Sequence, residues 1–421
     1  MPAPLMSFQD ARRTVEHQAA TVSPPGTETL SLLQSAQRIL AEPIFADRDI
    51  PPFPRSTRDG YAVRSADLKI LPAKLKLIGE IKAGPTPTLS HVSPGETFSI
   101  MTGACVPPGA DAVVMVEYSS QQNNSVEITQ QIAPGDNVVP QGAEAKRSTL
   151  LLAPGTLLDE SAIALAASVG KSRLQVFLRP RIAILTTGDE IVDLEAEISP
   201  TQIRNSNSYS LAVQILRAGG EPLVLPTAPD ESCRLRELIL QGIQADILIL
   251  TGGVSMGRYD LVEQVLAQLQ AEFFFTGAKI QPGRPVVFGR VNSRSLGARP
   301  LEGASELPSP KYFLGLPGNP VSTMVTFELF ARPMIEALAG MSPRPLTFLH
   351  ARLKSEIRVK PGLTRFLPAF LSGDFENSYV ELISWHGSGD IAARSRANCY
   401  IVTPPDREHI AAGEWVAIML H

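Results

Sequence analysis

The chain has 421 residues, 44% of them hydrophobic and 19% charged, with 38 Lys and Arg against 42 Asp and Glu for a formal charge of -4. That length exceeds one ordinary core and favours roughly two to four domains, and the apolar content excludes wholesale disorder. The slight acidity offers no field for a nucleic-acid backbone or an anionic membrane, so neither is expected as a partner and any anion has to be held in a local pocket.

Three widely spaced cysteines, Cys105, Cys233 and Cys399, suggest neither a disulfide framework nor a zinc site and fit a reducing cytoplasm. The six histidines never fall at i, i+4 ligand spacing. The N-terminal stretch lacks a signal-peptide core, and no segment approaches the ~20 unbroken apolar residues of a membrane span. A soluble cytoplasmic protein is expected.

Ser7 to Gln18 and Ser31 to Ala41 read as two helices separated by a Pro-Pro-Gly break at Pro24 to Gly26. From Pro43 to about Pro140 the texture changes to short β-rich runs such as Leu75 to Ile78, Thr97 to Met101 and Ala112 to Val116. Ser161 to Val169 returns to helical composition, which predicts that the chain passes back through its first domain after a β insertion. The middle third alternates apolar strands (Arg181 to Leu185, Glu221 to Leu225, Asp246 to Leu250, Tyr312 to Gly315) with helices (Ser208 to Ala218, Ser232 to Gln241, Leu261 to Leu269, Ser322 to Leu338). Continuous apolar strands joined by crossover helices predict an α/β domain with a mostly parallel sheet covered on both faces. Residues 292–310, rich in Ser, Gly, Pro and Ala, read as a loop or hairpin extension without chemistry. Short strands from Thr347 onward predict a small β barrel or sandwich at the end of the chain. The expected partition is residues 1–46 with 145–178, 47–144, 179–337 and 338–421.

Ligands of an open parallel sheet bind beyond the carboxyl ends of its strands, and three such tips are unusual. Thr186-Thr-Gly-Asp-Glu190 combines a glycine turn with two acids, of which Asp189 is read as a turn former and Glu190 as the functional group. Thr251-Gly-Gly-Val-Ser-Met-Gly257 supplies Gly252, Gly253 and Ser255 and runs through Tyr259 and Asp260 into a helix start, a pattern suited to a phosphate. Leu316-Pro-Gly-Asn-Pro-Val-Ser322 supplies Pro317, Gly318, Asn319 and Ser322. Acids lining a phosphate pocket repel its ligand unless Mg²⁺ bridges them, so Glu190 and Asp260 are expected to hold magnesium. Outside that domain, Pro51-Pro-Phe-Pro-Arg-Ser-Thr-Arg-Asp-Gly-Tyr-Ala-Val63, Met101 to Ala104 and Gly109 to Asp111 read equally well as surface turns or as site elements.

Together these motifs resemble the MoeA and gephyrin E-domain molybdopterin molybdenumtransferases, from about Ser31 onward. The likeness rests on Pro51-Pro-Phe53, Asp59-Gly-Tyr-Ala62, Ile100-Met-Thr-Gly-Ala104, Pro108 to Val114, Thr187-Gly-Asp-Glu190, Ile203 with Ser206-Asn207, Gly252-Gly-Val-Ser255 with Asp260, Pro282-Gly283, Leu316 to Ser322, and Gly387-Ser-Gly389 with Ala397-Asn398. The resemblance implies a MogA/MoaB-like α/β domain, a discontinuous N-terminal domain, an inserted β domain and a C-terminal β barrel, assembled as a homodimer with Asp59 and Thr102 acting across the interface. It implies a Mg²⁺-dependent reaction in which adenylylated molybdopterin releases AMP while molybdate, a substrate, is captured by the dithiolene. Asp59, Glu190, Asp230 and Asp260 match the family's cleft acids. The molybdopterin adenylyltransferase and apo-molybdoenzymes are further implied partners.

Several positions depart from the family pattern. Ala143-Glu144 replaces an acid pair ending in Asp, Asn205 replaces an Asp, and Pro54, Arg55 and Arg58 differ from the commonest bacterial motif. Gly277 and Gln281 replace family lysines, leaving Arg284 as the cation expected to pair with the oxyanion bidentately. Two other readings remain open, a MogA-type molybdopterin adenylyltransferase and a gephyrin-like scaffold without turnover.

Overall fold

The computed structural model describes residues 5–84, 90–253, 261–292 and 310–420. The chain divides into two compact units, one formed by Met1–Ala41, Pro154–Asp159 and Arg173–His421, the other by Glu42–Ala153 and Glu160–Ser172.

The first unit is built around a six-stranded sheet in the order Glu221–Val224, Arg181–Thr186, Ile247–Thr251, Lys311–Leu316, Val287–Val291, Glu272–Phe275. The first four strands are parallel, Val287–Val291 runs antiparallel to them, and Glu272–Phe275 pairs antiparallel with Val287–Val291. Alternate side chains of a strand point to opposite faces, and both faces here are apolar. Ile182, Ile184, Ile247, Ile249 and Leu314 pack with helix Asn207–Arg217 on one face. Ala183, Leu185, Leu248, Leu250 and Phe313 pack with helices Ser232–Gly242 and Leu261–Gln268 on the other. Double burial is why these strands lack the alternation of a half-exposed strand.

The long helix expected over Ser322 to Leu338 is three pieces: Pro320–Thr326, a π-helical turn at Phe327–Ala331, and Arg332–Leu338. Pro333 has no N–H to return to the preceding turn. The Leu329 carbonyl accepts instead from Arg12 Nη1 at 2.6 Å. Arg12 belongs to helix Phe8–Ala19, whose first turn is capped by Ser7 Oγ accepting from Asp10 N and whose Ala11 and Val15 are fully buried in the same core.

The second helix expected, Ser31 to Ala41, does not form. Thr27–Ser31 is a strand paired antiparallel with Arg173–Phe177, followed by a 3₁₀ turn at Leu33–Ser35. Ile39 and Leu40 then bridge Leu157 and Val176 and are buried. A partner more than 140 residues away outweighed the local helical preference of this segment. The returning helix, Glu160–Ser168, does form and belongs to the second unit.

The C-terminal strands close on themselves. Thr364–Gly373, Ser378–Leu382, Leu349–Leu353, Trp415–Leu420 and Cys399–Thr403 form successive ladders, and Thr364–Gly373 also pairs with Cys399–Thr403, giving a five-stranded barrel. The barrel alternative of the sequence reading is therefore the one realised. Ile280–Gln281 adds a parallel pairing along Thr364–Arg365.

The second unit is a six-stranded sheet in the order Ala112–Met115, Gly60–Val63, Glu96–Ile100, Ala73–Ile81, Ser125–Ile128, Ser119–Gln122. Its two faces bury Tyr61, Val63 and Leu75 on one side and Ala62, Ile81 and Phe98 on the other. Residues 293–309, most of the segment read as a loop, lie outside the described residues.

Candidate functional site

Thr186, Thr251 and Leu316 are directly paired across three adjacent parallel strands, so the three unusual loops leave the sheet at one level. Main-chain and side-chain bonds tie them together. Thr187 N donates to Thr251 O at 3.0 Å, and Thr251 Oγ1 donates to Pro317 O at 3.1 Å. Between the tips lies a cavity of about 450 Å³ whose wall includes Thr187, Gly188, Glu190, Gly252, Gly253, Pro317, Gly318 and Asn319. A cavity of this size suits a small-molecule ligand.

The glycine pair follows from the close approach of two loops. Gly252 and Gly253 have φ of +85° and +61°, and a Cβ on Gly252 would lie 2.5 Å from the Thr187 carbonyl oxygen. Only a residue without a side chain fits that backbone without strain.

One flank of the cavity is acidic. Asp189 Oδ1 accepts from Asp230 N at 3.0 Å and so shapes the turn, while Glu190 and Asp230 line the cavity. The Asp230 carboxyl is held above its usual range by partial burial, reinforced by the negative charges of Asp189 and Glu190. Among the described residues no group of three or more acids, histidines or cysteines is arranged to hold a metal ion. Ser255 and Asp260 lie outside the described residues.

Beside this flank runs the arm from Ile203 to Asn207, whose Ile203 N donates to Glu190 O at 2.9 Å and whose contribution to the wall the sequence reading did not assign. Arg204 lines the cavity, with Nε donating to Leu194 O at 2.7 Å. Asn205 accepts from Ser208 N and Asn207 donates to both Thr251 Oγ1 and Gly318 O. Arg284, expected to meet the oxyanion, is exposed and outside the cavity lining; its neighbour Pro285 forms part of the wall instead. Ser322 is also outside the lining, because it falls inside helix Pro320–Thr326 at 3% exposure. Asn319 Nδ2 donates to Ser388 Oγ, and Val321 N to Ser388 O, which ties the third tip to the Gly387-Ser-Gly389 turn.

In the second unit Gly60 pairs with Ile100, which brings the residues flanking that pair, Asp59 and Thr102, together. Asp59 Oδ1 accepts from Thr102 N at 2.7 Å and Thr102 Oγ1 at 3.0 Å, and these bonds hold its carboxyl below the usual range. Arg55 and Glu144, both departures from the family pattern, pair with each other at 2.9 Å.

Family models match the chain as the MoeA N-terminal region, domains I and II, over residues 6–170, as a probable molybdopterin binding domain over 183–337, and as the MoeA C-terminal region, domain IV, over 350–421. The molybdopterin molybdenumtransferase of Nostoc sp. is 34% identical across 93% of this chain and 88% of its own length. That of Bacillus subtilis is 30% identical across 94% and 90%. A solved molybdopterin biosynthesis moeA protein from Pyrococcus horikoshii superposes with a TM-score of 0.77 at 25% identity, covering 99% of this chain and all of that one. The cavity therefore belongs to the segment matched as a probable molybdopterin binding domain. The chain belongs to the molybdopterin molybdenumtransferase family.

Proposed function

We propose that this chain inserts molybdate into adenylylated molybdopterin, with release of AMP and formation of the molybdenum cofactor. The observation that carries the reading is the cavity formed by three bonded strand tips, glycine-lined on one side and acidic on another, within the probable molybdopterin-binding segment. The glycine loops leave room for the phosphates of the substrate. Glu190, with Asp230 beside it and Asp260 from the same segment of the chain, is the donor set for Mg²⁺. The raised Asp230 carboxyl fits this, since its like-charged neighbours are what a dication offsets. Bound there, the ion supplies charge neutralisation for the phosphoanhydride. Glu190 and Asp230 would hold the ion, and the Thr251–Gly253 and Pro317–Asn319 tips position the substrate in the cavity.

The reading extends to assembly. Helix Asn207–Arg217 exposes Tyr209, Val213 and Leu216 along one stripe, a surface suited to a second copy of the chain. In such a homodimer Asp59 and Thr102 serve the partner's reaction. Among the described residues no helix is long and apolar enough to cross a membrane, in keeping with work in the cytoplasm between the molybdopterin adenylyltransferase and apo-molybdoenzymes.

The test is AMP release from adenylylated molybdopterin with Mg²⁺, with and without molybdate, together with reconstitution of a cofactor-free molybdoenzyme. Molybdate-dependent AMP release that falls at least tenfold in Glu190→Gln is expected. Adenylylation of molybdopterin from ATP would assign the other transferase, and tight binding without turnover would assign a scaffold.

A further inference from the structure

Among the described residues lining the cavity, two buried side-chain atoms have no hydrogen-bond partner. Asn207, the first residue of its helix, is 7% exposed and donates from Nδ2 to Gly318 O at 2.7 Å and Thr251 Oγ1 at 3.0 Å. The Gly318 carbonyl can only accept, and the Thr251 hydroxyl already donates to Pro317 O. Both partners therefore require the nitrogen of the amide, which fixes its orientation. The carbonyl oxygen, Oδ1, is left buried and without a hydrogen-bond partner. Thr187, 4% exposed on the neighbouring tip, likewise has a buried Oγ1 with no partner. Both residues line the same cavity.

A buried polar atom without a partner costs about 1–3 kcal/mol, so two of them in one cavity wall mark a place where a ligand supplies what the protein does not. The chemistry of the missing partner follows from the atom types. Asn207 Oδ1 is an acceptor only, so phosphate oxygens and carboxylates cannot satisfy it. It needs an N–H or O–H donor. The Thr187 hydroxyl accepts from such a donor or gives its own hydrogen to an adjacent ring nitrogen.

We infer that Asn207 and Thr187 form a reading site for the nitrogen-bearing edge of the substrate's pterin, and that Asn207 is a specificity-determining residue. The Thr187 hydroxyl stands beside the Gly252–Gly253 tip, 2.7 Å from where a Gly253 Cβ would be, so the uncharged heterocycle enters at that tip against the Asn207 and Thr187 oxygens and the phosphates run from there toward Glu190 and Asp230. The same Asn207 amide joins the second and third tips, so recognition of the ring and spacing of the loops are coupled through one side chain. This inference rests on the cavity being the molybdopterin site.

The experiment measures binding of two probes to the full chain: pterin, followed by its fluorescence, and inorganic pyrophosphate, followed by titration calorimetry, which carries phosphates but no N–H group and no ring nitrogen. Asn207→Ala and the near-isosteric Thr187→Val are compared with the unaltered chain, and circular dichroism checks folding. Each variant is expected to weaken pterin about five- to tenfold, the worth of one neutral hydrogen bond in a buried site, while pyrophosphate affinity stays within twofold. If Asn207→Ala does not fold, Thr187→Val decides. Equal loss for both probes would mean that the residues act only by spacing the loops and would overturn the inference, as would unchanged pterin binding. An unaltered chain that binds pyrophosphate but not pterin would also overturn it, whereas binding of neither probe would remove the cavity reading beneath it.

Discussion

Replacing Gly252 by alanine isolates the energetic demand of the second strand tip. Its φ of +85° lies in the left-handed region, which costs an alanine roughly 1–2 kcal/mol. The new Cβ would stand 2.5 Å from the Thr187 carbonyl oxygen. That backbone cannot easily retreat, because Thr187 N is bonded to Thr251 O and the next amide, Gly188 N, to Ala228 O. Forcing extra atoms into such packing costs about 1–3 kcal/mol more, so Gly252→Ala should lose roughly 2–5 kcal/mol by the sum of those two effects. Against a total stability of about 5–15 kcal/mol this is a large fraction. Gly318 provides the control on the facing loop. A Cβ there would meet Gly252 Cα at 3.4 Å, and its φ lies outside the left-handed range, so Gly318→Ala should stay within about 0.5 kcal/mol. Urea titration followed by circular dichroism at 222 nm measures both. A loss below about 1 kcal/mol for Gly252→Ala, or an equal loss for Gly318→Ala, would refute the claim that loop proximity dictates the glycine.

Two electrostatic predictions accompany it. The folded chain raises the Asp230 carboxyl above its ordinary value of 3.8, so it binds that proton more tightly than the unfolded chain does and loses stability as pH rises through the folded value. Asp230→Asn should therefore increase the melting temperature at pH 7 and bring no gain below pH 3.8; a decrease at pH 7 would show that the carboxylate has a stabilising partner. Asp59 is lowered first by the Thr102 N–H and then by its hydroxyl. Thr102→Val should move the Asp59 titration, read by carboxyl carbon NMR, upward yet leave it below 3.8, since the backbone bond survives.

Much of the α/β unit was legible because its strands are buried on both faces and so appear as unbroken apolar runs, with the glycine-bearing loops directly after them. The features that escaped depend on distant partners. Thr27–Ser31 becomes a strand only because Arg173–Phe177 lies beside it, and the π-helical turn at Phe327–Ala331 goes with a carbonyl that Arg12 takes up. Asn207 was visible as part of a motif, but its unpaired oxygen arises from the meeting of a helix start with two strand tips, which no spacing encodes. The cation expected at Arg284 came from its standing where the family pattern has a basic residue, whereas the cavity wall includes Arg204 from the arm paired beside Glu190.

The stretch around Pro285 is stitched into place from opposite ends of the chain. Met6 N donates to Gly277 O and Lys279 N to Met6 O, while Thr364 N donates to Lys279 O. Contacts between residues so far apart in sequence form slowly, because a long loop has to close before any bond repays it. This wall of the cavity should thus be among the last parts of the first unit to consolidate during folding, after the sheet has already assembled. A refolding chain would pass through a period in which it has native strand pairing but no competent binding site, so regain of ligand binding should lag behind regain of secondary structure.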